Sequence, residues 1–204
     1  MIEIDHVIIL VPNLDRAAEQ TLSRFGLASV AGGRHAGHGT ANRIVPLGPN
    51  YLELMAVVDE TEAAESPLGR WVTEHTTAEL TPAALCLRTD EIESIAAVIG
   101  EEPESMSRRK PDGTILAWHL AGLSGTLGHD ALPFFIEWHC EPADHPGATP
   151  IEYRVEAGGI IGVTHGSAGP LSSMLADVDG LTIAEGSGVL QAVIQTAAGP
   201  IIVD

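Results

Sequence analysis

Lysine is almost missing from this chain of 204 residues: Lys110 stands alone among ten basic residues, against 28 acidic ones, and the net charge is −18. A surface of that sign repels nucleic acid and anionic membranes, which excludes both as partners. Cysteine is scarce. Two thiols, Cys86 and Cys140, make neither a disulfide framework nor a cysteine-rich zinc site, and they read as small buried or incidental hydrophobes. No apolar run approaches the roughly 20 residues that span a bilayer. The opening MIEIDHVIIL carries acids where a signal peptide needs positive charge, so a cytoplasmic protein is expected.

What is present is a large apolar fraction, 45%, enough for a full core, and an order of elements that repeats. EIDHVIILV is a β-branched strand, and the helix of PNLDRAAEQTLSRFGL starts at Pro12-Asn13 and stops at Gly26. Three strand-like pieces follow, LASVAGG, TANRIVPLG and NYLELMAVV. The order β-α-β-β-β returns in PAALCLRT, DEIESIAAVIG, ESMSRRK, TILAWHLAG and LPFFIEWHC, with a turn expected at Pro111-Asp112-Gly113. Between the two lies a polar connector over 59–80, with a short helix around Leu68 to Glu74 in which Trp71 is a packing residue. After the Pro-rich linker CEPADHPGATP, the tail offers GGIIGVTH, PLSSMLADV, LTIAEG, VLQAVIQT and PIIV, an abbreviated third β-α-β-β-β. The expected fold class is α+β, with modules 1–58 and 81–140 paired in a unit 1–140, and linker and tail over 141–204.

The repeat sets an alignment. VPNLDRAA lies over TDEIESIA, and Tyr51-Leu52-Glu53-Leu54 over Phe135-Ile136-Glu137-Trp138. A glutamate inside an apolar strand needs a partner, and two at matching positions point to one shared cause.

IDHVIILVPNLDRAA, GGRHAGHGTANRIVPLG, NYLELMAV and LPFFIEW, in that order, resemble the glyoxalase-like proteins of the vicinal oxygen chelate superfamily. The resemblance implies paired βαβββ modules curved into an open, barrel-like cleft, with a divalent metal held by the first and fourth strands of each module. Carried over residue by residue, it offers His6 and Glu53 from the first module and Glu137 from the second; the fourth position is Ala84, which cannot ligate. One imidazole and two carboxylates would suit Fe, Mn, Ni or Zn with positions open for substrate. The implied activity is a lyase, isomerase or dioxygenase that chelates a small oxygenated substrate through the metal, with a carboxylate ligand, Glu53 or Glu137, doubling as general base. The alternative is a metal-free binding or sequestering protein of the drug-resistance type. There the glutamates would pair with Arg43, Arg34 or His119, since two carboxylates without a cation would repel. A sequestering pocket is usually aromatic, and aromatics are only 4% of this chain. A strand-rich tail suits a homodimer.

GGRHAGHGTANR, Gly32 to Arg43, lacks a lysine and is followed by a strand, so it is no phosphate loop. It reads as a hairpin turn in which Gly37 and Gly39 take positive φ. His35, expected in substrate contact or proton transfer, and Asn42 flank that turn and face the cleft, His38 sits at a solvent-facing tip, and Arg43 and His139 complete the substrate-binding set. His145 and His165, in linker and tail, are expected at the surface.

Overall fold

The computed structural model describes residues 1–77, 80–110, 113–128 and 131–204, so the Pro111-Asp112 part of the expected turn lies outside the described residues. The first module is β1 (Ile2–Leu10), α1 (Leu14–Phe25), β2 (Val30–His35), β3 (Thr40–Pro46) and β4 (Tyr51–Val57). Two short helices, α2 (Glu60–Glu65) and α3 (Pro67–His75), connect it to β5 (Thr81–Thr89), α4 (Ile92–Ile99), β6 (Glu104–Arg109), β7 (Ile115–Ala121), a short α5 (Leu123–Leu127) and β8 (Phe134–Trp138). The tail holds β9 (Ala157–His165), α6 (Ser172–Leu175), β10 (Leu181–Ile183), β11 (Leu190–Thr196) and β12 (Ile201–Val203). Local chemistry sets the helix ends. Asn13 accepts the Arg16 amide at the start of α1, and Gly26, at φ 72°, closes it in the left-handed region. No described helix is long and apolar enough to cross a membrane.

The two modules form one eight-stranded sheet in the order β2-β3-β4-β1-β5-β8-β7-β6. Within each half the first and fourth strands lie side by side and parallel. The halves meet through antiparallel β1 and β5, where His6 pairs with Cys86 and Ile8 with Ala84. A twofold relation therefore carries His6 onto Ala84 and Ile8 onto Cys86. The edge strands curl towards each other, and the Arg108 guanidinium of β6 lies against Gly33 of β2.

Strand alternation gives the sheet two faces. One buries Val7, Ile9, Leu54, Leu87 and Phe135 against Ala17 of α1 and Ile92 and Ile95 of α4. The other, concave, carries Ile8, Leu10, Met55, Ala84, Cys86, Phe134 and Ile136 beneath Trp71 and Val72 of α3. Trp71 is thus the packing residue expected.

The tail keeps the β-α-β-β-β element order but makes a separate sheet, β10-β9-β11-β12, with a strand order unlike that of the modules. Its Ile160, Val163, Ala192 and Ile194 join the core on the helix-bearing face. Asn50 ties the sheets together: its side chain accepts from the Ile160 amide (2.7 Å) and donates to the Ile160 carbonyl (3.2 Å).

Candidate active site on the concave face

The site begins at an irregularity in β1. The register with β5 slips between Ile4 and His6, and Ile4 and Val7 both fall in the helix-side core although they are three apart. Such a slip lets neighbours serve one side of a sheet. Asp5 and His6 are both buried and both serve the concave side. His6 stacks on Tyr51 (4.4 Å between ring centroids) and meets the edge of Phe134 (5.7 Å).

The hydrogen bonds fix the proton positions around His6. The Gly147 amide donates to His145 Nδ1 (3.1 Å), which leaves the His145 proton on Nε2, facing Asp5 Oδ2 at 3.0 Å. Trp138 Nε1 donates to the same oxygen (3.1 Å). Burial alone would raise the Asp5 carboxyl, but hydrogen bonds from His145 and His6 hold it far below the usual carboxylate range. An ionised Asp5 only accepts, so His6 Nδ1, 2.6 Å from Oδ1, carries the proton. His6 Nε2 faces Glu53 Oε2, 3.3 Å away.

Glu53 is oriented from the other side. The Gly33 amide donates to Asn42 Oδ1 (2.6 Å), which fixes the Asn42 amide, and Asn42 Nδ2 donates to Glu53 Oε1 (2.7 Å). His35 Nε2 lies 3.8 Å from that same oxygen, while its Nδ1 is 2.9 Å from the Thr40 hydroxyl. Burial lowers the His35 pKa, against the pull of Glu53, which favours a neutral ring. His6 and Glu53 are buried, and His35, its side chain 24% exposed, forms their solvent-facing side.

His6, His35, Asn42 and Glu53 are thus brought together as expected, and three expected participants are not. Glu137 sits on the opposite face: its Oε2 accepts the Ile92 amide at the start of α4 (3.0 Å). The pairings explain this. Ile8 pairs with Glu53 and, in the second half, Cys86 with Phe134. The residue equivalent to Glu53 is therefore Phe134, three positions before Glu137, and an odd offset turns the side chain to the other face. His139 lies with Glu137 on that outer side, 3.6 Å away. Arg43 points outward as well, donating to Ser29 Oγ (3.0 Å) and the Ser29 carbonyl (3.2 Å). Arg34 pairs with Asp59 and Glu62, outside the cleft.

Other histidines depart from expectation. His145 and His165 are buried rather than at the surface, and His38 docks on the Ser66 hydroxyl (2.7 Å) at the start of α3. Gly37 and Gly39 do take positive φ, 79° and 64°. Cys86 is a free thiol whose burial pushes its pKa well up, an inert hydrophobe. Sequence reasoning missed Asp5, His145 and Arg108. The first hid in a strand and the second in a linker, and nothing local marks Arg108. Its charge opposes protonation of His35 across the seam, and among the described residues no carboxylate pairs with it.

Two grooves of about 510 Å³ lie elsewhere. One is lined by Val11, Pro12, Val57 and Arg70; the other, between α3 and α5, is lined by His38, Leu68, Leu120 and Leu123. Neither is lined by His6 or Glu53.

Paired βαβββ halves thus surround a concave face, with an imidazole on β1 and a carboxylate on β4. The chain belongs to the glyoxalase-like domain family, whose model matches residues 4–164. Among solved structures, a hypothetical protein from Staphylococcus aureus is similar at 19% identity and a TM-score of 0.60, over 86% of this chain and 73% of that one. Methylmalonyl-CoA epimerase from Streptomyces coelicolor, in complex with 2-nitronate-propionyl-CoA, is 18% identical with a TM-score of 0.48, over 67% of this chain and 97% of its own. The epimerase from Mycobacterium tuberculosis is 18% identical with a TM-score of 0.43, over 66% and 85%. No curated protein matches the sequence.

Proposed function

We propose that the protein is a metal-dependent enzyme of the vicinal oxygen chelate type, acting on a small oxygenated organic acid. One observation carries this reading. His6 Nε2 and Glu53 Oε2 converge at 3.3 Å, while His6 Nδ1 is held by Asp5 at 2.6 Å. A buried carboxylate facing that nitrogen calls for a cation. His6 and Glu53 would hold it, in place of the set with Glu137, and His35, 3.8 Å from the other Glu53 oxygen, would complete the set by moving inward. Two imidazoles and one carboxylate suit Fe, Mn, Ni or Zn. When bound, the ion supplies Lewis acidity towards substrate oxygens, the chemistry that lyases, isomerases and dioxygenases of this kind share.

The chain's own residues supply the rest. Asp5 holds the His6 tautomer, and Asn42 holds Glu53 at the angle needed to bind. Arg108, a planar two-pronged donor at the seam, matches a substrate carboxylate. The second half lacks donors at the equivalent positions. Ala84 and Phe134 stand there, and Trp118 and Trp138, 5.3 Å apart, continue an apolar wall. That wall favours a substrate with an apolar part, and it excludes water from the reacting end.

The same wall favours the rival reading, a metal-free binding protein in which a proton occupies His6 Nε2. Elemental analysis of untagged protein separates the two. The metal reading expects that the cleft's one equivalent of a divalent metal is lost in both His6→Ala and Glu53→Gln. Affinity should fall by more than the ~10–100-fold that outer partners of a metal site contribute. Metal content unchanged by both substitutions, or no uptake in wild type after soaking, sinks it.

For Arg108, the expected result is that Arg108→Ala weakens oxalate binding to the metal-loaded protein by about 10–100-fold in calorimetry, the worth of a charged hydrogen bond. Arg34→Ala, outside the cleft, should leave binding unchanged. Equal affinity in wild type and Arg108→Ala removes Arg108 from the site.

A further inference from the structure

Glu137, displaced from the cleft, does not stand alone on the outer face. His119 of β7 pairs directly with it across the ladder. His139 follows two residues later, and its amide donates to the Ala117 carbonyl (2.9 Å), so the ladder continues and both side chains share a face. His119, Glu137 and His139 converge, one ligand atom of each within 4.8 Å of the others. His139 Nε2 is 2.9 Å from His119 Nδ1 and 3.6 Å from Glu137 Oε1. Ligands at about 2.1 Å from one ion stand roughly 3.0–3.4 Å apart, so separations of 2.9 and 3.6 Å lie close to, and just outside, the edges of a coordination shell and need only a small adjustment of the exposed His139 ring.

The support is also built. No side chain caps the start of α4 from its own cap residue, Glu91. Glu137 Oε2 takes that place on the Ile92 amide (3.0 Å), which turns Oε1 towards the two imidazoles. Fixing a ligand through its second oxygen is how outer partners orient a metal site. The His139 side chain is 42% exposed and Glu137 22%, so an ion has access and water can complete its shell.

We infer that His119, Glu137 and His139 form a second divalent-metal site, on the outer face and separate from the cleft. Two imidazoles and a carboxylate select a first-row ion of the Zn(II) type over Mg(II) or Ca(II). An ion there joins β7 and β8 and, through Glu137, the first turn of α4. The site acts on the fold rather than on a substrate.

The experiment is equilibrium dialysis of untagged, chelator-stripped protein against Zn(II), with thermal melts. Wild type should bind two equivalents, the double variant His119→Ala/His139→Ala one, and Glu53→Gln one. Zn(II) should raise the melting temperature of Glu53→Gln, which keeps only the outer site. One equivalent in wild type that survives in Glu53→Gln but not in the double variant upholds the outer site while the cleft reading fails. Zinc content equal in wild type and the double variant overturns it. So does a pair of histidines that takes up Zn(II) no better than Mg(II).

Discussion

Asp5→Asn is expected to empty the cleft of metal while the chain stays folded. The substitution is nearly isosteric. The amide oxygen can take the place of Oδ2, which receives the Trp138 and His145 protons. The amide nitrogen then faces His6 Nδ1, where Oδ1 stood at 2.6 Å. A donor there forces the His6 proton onto Nε2, so the nitrogen that faces Glu53 becomes a donor and ceases to be a ligand. Metal content at the cleft should drop at least as far as for an outer-partner change, ~10–100-fold in affinity. Asp5→Ala should behave differently. It strands three donors in a fully buried position, and each unsatisfied group costs about 1–3 kcal/mol. At about 2–4 °C per kcal/mol for a chain of this size, its melting temperature should fall by about 10 °C or more. The pH dependence has a fixed sign. A carboxyl depressed in the folded state stabilises above its ordinary range and loses that contribution as the pH falls through the folded value. Wild type and Asp5→Ala should therefore converge only in strong acid. Retained metal in Asp5→Asn, measured beside Asp5→Ala melts, contradicts the tautomer assignment.

The second large effect falls on the hairpin. Gly39 sits at φ 64°, and a Cβ there would lie 2.3 Å from the Ala63 amide nitrogen and 2.4 Å from the Asp59 carbonyl oxygen, both backbone. Its carbonyl also accepts the amides of Val58 (2.8 Å) and Asp59 (3.0 Å). Gly39→Ala combines left-handed strain, ~1–3 kcal/mol, with overpacking of similar size. We expect a loss of about 3 kcal/mol, read as a fall of about 6–12 °C in melting temperature, and weaker metal retention as His35 moves with the hairpin. Gly37→Ala is the control. Its φ is 79°, but nothing lies within 4 Å of the added atom, so only the strain of about 1 kcal/mol applies. Equal melts for the two variants would show that the contact with α2 is not what requires glycine at position 39.

The sequence carried the element order of both modules because strand and helix periods differ and the turn residues mark the boundaries. His6, Glu53, His35 and Asn42 were legible for the same reason: each is polar where its strand or turn offers a side to the cleft. Register was not legible. Aligning FIEW with YLEL placed Glu137 over Glu53, whereas the ladder places Phe134 there. Both alignments satisfy the apolar pattern, and a slip of three residues leaves composition almost unchanged while reversing every side chain. Asp5 escaped because alternation puts it opposite His6, and only the slip in β1 cancels that. His145 escaped because its partner is 140 residues away. The tail's strand order was hidden likewise, since element order alone does not say which strands pair.

Asn50 couples the tail to the cleft. Its amide imitates one residue of a missing strand, closing two hydrogen bonds on Ile160. The next residue, Tyr51, stacks on His6. Prising the two sheets apart would therefore pull at the ring that supports His6. Opening the tail and loosening the cleft become one cooperative event, with the last quarter of the chain acting as its latch.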